Sequence, residues 1–135
     1  MNQIEFFKQA QAYAVVGASA DPSKFGNKVL RFYKQNTTNP IYPVNPKADS
    51  IEGIKVIKDL KDLPDPKHTS VSVITPPPVT LSVLKTAAEL GIKNVWLQPG
   101  SENYEGIELA KKSGLNVIYD GPCVLVNGPG LINSK

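Results

Sequence analysis

A single cysteine, Cys123, excludes an internal disulfide, so nothing covalent staples this fold and the thiol is left either to packing or to chemistry. A single histidine, His68, excludes imidazole clusters. Neither a metal-ligand spacing nor a Ser-His-Asp set can be drawn from the residues present. Charge of one sign is also scarce: the formal balance is +3, spread along the chain, with no basic stripe and no aromatic-basic interleaving of the kind nucleic-acid binders show. No run is apolar enough to span a membrane. Met1 to Gln11 carries acidic and amide residues rather than the basic, long apolar layout of a secretory leader. The expectation is a cytoplasmic protein with neither a nucleic-acid nor a membrane partner. At 135 residues the chain is one domain, too short for a dinucleotide domain plus a separate substrate domain.

Two absences concern nucleotide loops. After Tyr13-Ala14-Val15-Val16 comes Gly17-Ala18-Ser19 and then no glycine until Gly26, so the G-x-G-x-x-G spacing is missing. No Gly-Lys-Ser/Thr triplet follows the strand either. What is present is a buried strand ending in Gly17, where a residue without Cβ permits a tight turn and close approach of a pyrophosphate. A helix starting near Lys24 to Gly26 would turn its unpaired N–H groups toward the phosphates.

Hydrophobic periodicity then alternates strands with helices. Strands are expected at Tyr13 to Val16, Ile41 to Val44, Val71 to Thr75, Asn94 to Leu97 and Asn116 to Tyr119. Helices are expected at Phe25 to Asn36, with Val29, Leu30 and Tyr33 on one face, and at Val79 to Leu90, with Val83, Leu84, Ala87 and Ala88 buried and Gly91 closing it. A further helix is expected at Glu102 to Ser113, capped by Ser101 or Asn103. Asn2 with Glu5 resembles a capping box for a short helix, Gln3 to Ala10, within an N-terminal segment 1–12. Ile51-Glu52-Gly53-Ile54 suggests a small hairpin, Lys55-Val56-Ile57 a short extended piece, and residues 124–135 an irregular tail. The pattern predicts an α/β fold: a doubly wound, Rossmann-like parallel sheet of five strands in the order 3-2-1-4-5.

In such a sheet ligands bind outside the carboxyl ends of the strands. The loops at those ends hold Pro22, Pro46, Pro76, Pro77, Pro78, Pro99 and Pro122, whereas the opposite connections, such as Gly91-Ile92-Lys93, are short and plain. Function is expected on the first edge. Where an NAD-binding domain places an acidic residue after its second strand, this chain has Asn45-Pro46-Lys47. Lys47 is either a solvated surface lysine or the partner of a phosphate on the adenosine ribose, as in coenzyme A or NADP. Cys123 is either packing or, beside a thiol ligand, able to enter a mixed disulfide.

Gly17-Ala18-Ser19, Tyr42 to Lys47, Thr75 to Pro78, Trp96 to Ser101 and Asp120 to Cys123 together resemble the small stand-alone coenzyme A-binding proteins. Those are similar to the N-terminal domain of the succinyl-CoA synthetase α subunit. The resemblance runs from about Tyr13 to Cys123. It implies a phosphate loop of Gly17, Ala18, Ser19 and Lys24, and an adenosine end held by Val44 and Lys47. It implies that Thr75, Pro76 and Pro77 flank the ligand, with Gln98, Gly100 and Cys123 nearer the pantetheine arm. The implied ligand is coenzyme A or acyl-CoA; because the residues show no catalytic constellation on the ligand edge, binding without catalysis is the expectation. The stand-alone proteins carry a Glu-His pair shortly after the cysteine, where this chain has Asn127-Gly128. An NADP-dependent oxidoreductase, or a subunit of one, is the alternative; a regulator using the fold for protein contact is a third.

Overall fold

Asn2 opens the chain by accepting a hydrogen bond from the Glu5 amide at 2.9 Å, which starts helix α1, Gln3–Phe7. The computed structural model describes residues 2–131 and 133–134. The helix is shorter than the expected Gln3 to Ala10. Its last turn is replaced by a tertiary contact, in which the Lys8 carbonyl accepts from the Tyr13 hydroxyl at 2.7 Å.

Strand β1, Ala12–Val16, is buried along its whole length and leads through the glycine loop to helix α2, Phe25–Asn36. Strand β2, Ile41–Val44, follows, and then a hairpin of β3, Ser50–Ile51, and β4, Ile54–Lys55. The hairpin turns on Glu52 and Gly53, both at positive φ (53° and 75°), as a two-residue turn of the primed type requires. Two short 3-10 turns, Leu60–Asp62 and Pro66–His68, precede strand β5, Thr69–Val73. Then come α3, Pro77–Leu90; β6, Asn94–Leu97; α4, Tyr104–Lys112; β7, Asn116–Ile118; and α5, Val124–Asn127.

Several expected boundaries move for local reasons. Strand β5 lies two residues early because Ile74 still donates to the Val16 carbonyl, whereas the Thr75 amide leaves the ladder for the Ser101 hydroxyl. Ser101 is thereby taken, and Asn103 caps α4 by accepting from Gly106 at 2.9 Å. Helix α3 begins two residues early, since prolines fit the first helical positions, where no N–H is required. Gly91 ends it at φ 76°. Within 124–135, expected to be irregular, α5 forms one turn, begun by Val124, whose amide donates to the Gln98 side chain.

Five parallel strands make the sheet, in the order β2-β1-β5-β6-β7. Beyond β2, Ile57 forms a parallel bridge to Val44 and supplies a rudimentary outer strand. With that outer strand the sheet is consistent with the Rossmann-like order 3-2-1-4-5; of the five strands expected from the sequence, the third, now β5, lies beside β1 rather than beyond β2. Strand order reverses between β1 and β5, and that is where a crevice must open at the carboxyl edge.

Alternation sends Tyr13, Val15 and Trp96 to one face, against Phe7, Val29, Leu30 and Tyr33 of α1 and α2. Ala14, Val16, Val71, Val73, Val95 and Leu97 face Leu84, Ala87, Ile107 and Ala110 of α3 and α4. The first face is aromatic: Tyr13 stacks on Tyr33 at 4.9 Å and Phe7 meets Trp96 edge-on at 5.2 Å. Small Ser70 and Ser72 on β5 make room for these rings, and the Ser72 hydroxyl pairs with that of Tyr33 at 2.6 Å. Burial pushes the phenols of Tyr13 and Tyr33 far upward.

A phenol whose folded pKa exceeds its unfolded value of about 10 stabilises the fold fully below that value and progressively less as the pH rises beyond it. The urea midpoint, followed by Trp96 fluorescence, is therefore expected to decline once the pH passes about 10. A midpoint that holds level well beyond that pH would contradict the neutral, buried phenols.

Candidate functional site

The crevice begins with two glycines. A Cβ on Gly17, which has φ 90°, would lie 1.9 Å from the Ile74 carbonyl oxygen; one on Gly26 would lie 2.0 Å from that of Gly17. Bare backbone at both positions lets the end of β1 press against β5 and the start of α2 press against the loop. Gly26 thus fills the close-packing role that a regular glycine fingerprint gives to an earlier position.

Asn27, fully buried, ties that loop to the helix. Its Nδ2 donates to the Ser19 carbonyl at 2.9 Å and to Glu52 Oε2 at 3.1 Å, and its Oδ1 accepts from Arg31 Nε at 2.7 Å. Arg31 also donates to the Pro22 carbonyl. Lys24 occupies the N-cap of α2 and supplies no side-chain acceptor. The Asp21 carboxyl is held below the usual range, first by the Ser23 amide and then by its hydroxyl.

Asn45 joins the second loop to the first. Its Nδ2 donates to the Ala18 carbonyl at 2.9 Å, and its Oδ1 accepts from the amides of Lys47 and Ala48 at 2.8 and 3.0 Å. A cleft of about 250 Å³ opens between these loops and α3. Val16, Gly17, Val44, Asn45, Pro46 and Thr75 form its base, Lys58, Asp59 and Leu60 one wall, and Val79, Ser82, Val83 and Thr86 of α3 the other.

The expected site residues therefore divide. Gly17, Val44 and Thr75 line the cleft. Ala18 and Ser19 build its loop: Ala18 is buried, and the Ser19 hydroxyl accepts from the Asp21 amide. Lys24 and Lys47 are exposed beside it and form none of its wall. Pro76 caps α3 and Pro77 opens it, the Pro77 carbonyl accepting from Asn103 Nδ2. Gln98, Gly100 and Cys123 stand farther along the same edge, at the ends of β6 and β7, outside the cleft.

Gln98 is fully buried and its Oε1 accepts from the Val124 amide. Its Nε2 is the one buried side-chain polar atom without a hydrogen-bond partner among the described residues. Gly100, at φ 96°, donates its amide to Glu102, and half-buried Cys123 caps α5. His68 pairs with Asp65 at 2.9 Å before β5, on the amino edge. The described residues hold no group of three or more His, Cys, Asp or Glu able to take a metal ion, and none of their helices is long and apolar enough to cross a membrane.

Sequence reasoning missed the α3 wall, although Val79, Val83 and Thr86 recur at helical spacing, and it missed Lys58 and Asp59 altogether. Asn27, polar among the apolar positions of α2, was a legible signal that went unread.

The family described as CoA binding domain matches residues 11–129. The chain belongs to that family. A conserved hypothetical protein from Pyrococcus furiosus is 36% identical with a TM-score of 0.74, over 86% of this chain and 97% of its own. One from Pyrococcus horikoshii is 28% identical with a TM-score of 0.83, over 94% of this chain and 89% of its own. The dinucleotide-forming acetyl-coenzyme A synthetase 1 of Candidatus Korarchaeum cryptofilum is 31% identical with a TM-score of 0.73; the match covers 84% of this chain but 27% of the synthetase. No curated protein matches the chain.

Gly26→Ala is expected to destabilise the protein by about 2–3 kcal/mol, because the atom in the way is backbone. Gly53→Ala, in open space at positive φ, should cost only about 1 kcal/mol. Thermal unfolding of the two variants checks this, and equal losses would count against the close approach at Gly26.

Proposed function

We propose that the protein binds coenzyme A or an acyl-CoA thioester at the carboxyl edge of its sheet, as a binding protein rather than a catalyst. The observation that carries this is the cleft: glycine backbone at its base, Leu60, Val79 and Val83 supplying apolar surface to its walls, and two loops cross-bonded through Asn45. At about 250 Å³ it falls just under the ~300–1,000 Å³ that whole ligands occupy. It therefore takes the adenosine end of a long ligand.

The diphosphate then lies against Gly17, Ala18 and Ser19 at the start of α2, with Lys24 nearby, and Val44 flanks the adenosine. Lys47, on the turn beyond β2, meets the phosphate on the ribose. From there the pantetheine arm passes Thr75, Pro76 and Pro77 toward Gln98, Gly100 and Cys123, where the free Nε2 of Gln98 offers a donor to an amide carbonyl. Family membership supports the ligand class. The lack of catalysis is supported by the position of the only histidine, bonded to Asp65 on the opposite edge.

Calorimetry with coenzyme A, dephospho-coenzyme A and NADP tests the reading. Coenzyme A is expected to bind tightest and dephospho-coenzyme A measurably weaker; at a hundredfold excess over its dissociation constant the ligand should add about 2.7 kcal/mol of stability. Tighter binding of NADP would replace this reading with the oxidoreductase one.

A further inference from the structure

One cation belongs to the wall of the cleft itself. Lys58 follows Ile57, whose amide donates to the Pro43 carbonyl at 3.0 Å and whose carbonyl accepts from the Asn45 amide at 3.1 Å. Its backbone is therefore pinned beside the end of β2. Its side chain runs across to the turn that carries Lys47, and Nζ donates to the Ala48 carbonyl at 2.6 Å. The Lys58 ammonium is thus held one residue along the chain from Lys47, on the turn that carries it.

That turn cannot receive a phosphate with its own amides. The N–H groups of Lys47 and Ala48 are both taken by Asn45 Oδ1, so an anion arriving there must be met by side chains. Among the described residues Lys58 is paired with Asp49, at 3.4 Å, on a fully exposed side chain, while the Asp59 carboxylate next to it in the wall accepts from the Lys61 amide. An exposed pair of that kind is weakly held in water and readily exchanged.

We propose that Lys58 is a second specificity-determining residue, supplying charge to the ribose phosphate that separates coenzyme A from its dephospho form. This rests on the reading given above. In the free protein Lys58 is held on the Ala48 carbonyl with Asp49 alongside; on binding, the phosphate takes the place of Asp49. Because its backbone is anchored to the sheet edge and its side chain forms cleft wall, Lys58 delivers its charge from a fixed position.

The test is the ratio of coenzyme A to dephospho-coenzyme A affinity, measured by calorimetry at fixed salt for the wild-type protein, Lys58→Met and Lys58→Arg. A lost charge-assisted hydrogen bond to phosphate is expected to lower that ratio roughly tenfold in Lys58→Met, with dephospho-coenzyme A affinity unchanged and Lys58→Arg restoring the ratio. If Lys58 only braces the turn, both ligands weaken by the same factor; that result overturns the assignment, as does an unchanged ratio. Wild-type protein that binds neither ligand would overturn the coenzyme A reading and this assignment with it, whereas a wild-type preference untouched in Lys58→Met would remove Lys58 alone.

Discussion

The contact between the end of β1 and the beginning of α2 governs the rest of the structure. It exists only because Gly26 has no side chain, and the neighbouring approach of β1 to the end of β5 only because Gly17 has none: in each case the space a Cβ would need is filled by a carbonyl oxygen about 2 Å away. Backbone cannot yield there as a flexible side chain would, so the approach either forms fully or fails. Once it forms, Asn27 is carried into the interior, where its amide can be satisfied only by the Ser19 carbonyl, Glu52 and Arg31. The geometry of the glycine loop follows from that packing rather than from the loop residues alone.

The same logic extends along the carboxyl edge. Asn45 binds the second loop to the first, Ser101 binds the loop after β6 to that after β5, and Trp96 Nε1 donates to the Pro122 carbonyl at the far end. Gln98 reaches from β6 to α5. Each link is one side-chain hydrogen bond to a neighbouring loop's backbone, so the edge is ordered before any ligand arrives and little conformational freedom remains to be lost on binding.

The layers of the fold were legible because strands and helices write different periods. Leu84 against Lys85 declares a helix face, and the unbroken apolar run Ala12–Val16 declares a strand buried on both sides. Gly17 was legible because a glycine at a strand end has fixed consequences, whereas Val44 and Thr75 entered through the family resemblance. What could not be read is pairing between distant segments. Nothing near Lys58 in the chain points to the Ala48 carbonyl, and nothing near Ser101 points to the Thr75 amide, since both bonds arise from folding. Strand β5 was misplaced by two residues for that reason: Thr75 is β-branched and suits a strand, but a hydroxyl far along the chain claims its N–H. Glu52 was read as part of a hairpin, which it is, while its contact with Asn27 near the glycine loop depends on how that hairpin folds back on α2.

Pro43 sits inside β2, where a proline ordinarily costs a ladder bond. A residue in a strand turns its N–H and C=O to the same side, and the Pro43 carbonyl points outward to Ile57. The missing donor therefore faces away from β1, and the ladder to β1 is intact. With Pro43 lacking a donor and Ile57 occupying the neighbouring positions, this margin of the sheet presents no continuous row of free backbone groups to a strand from another molecule. Accretion of strands through that side, the usual hazard of an open sheet, is blocked by the chain's own covering.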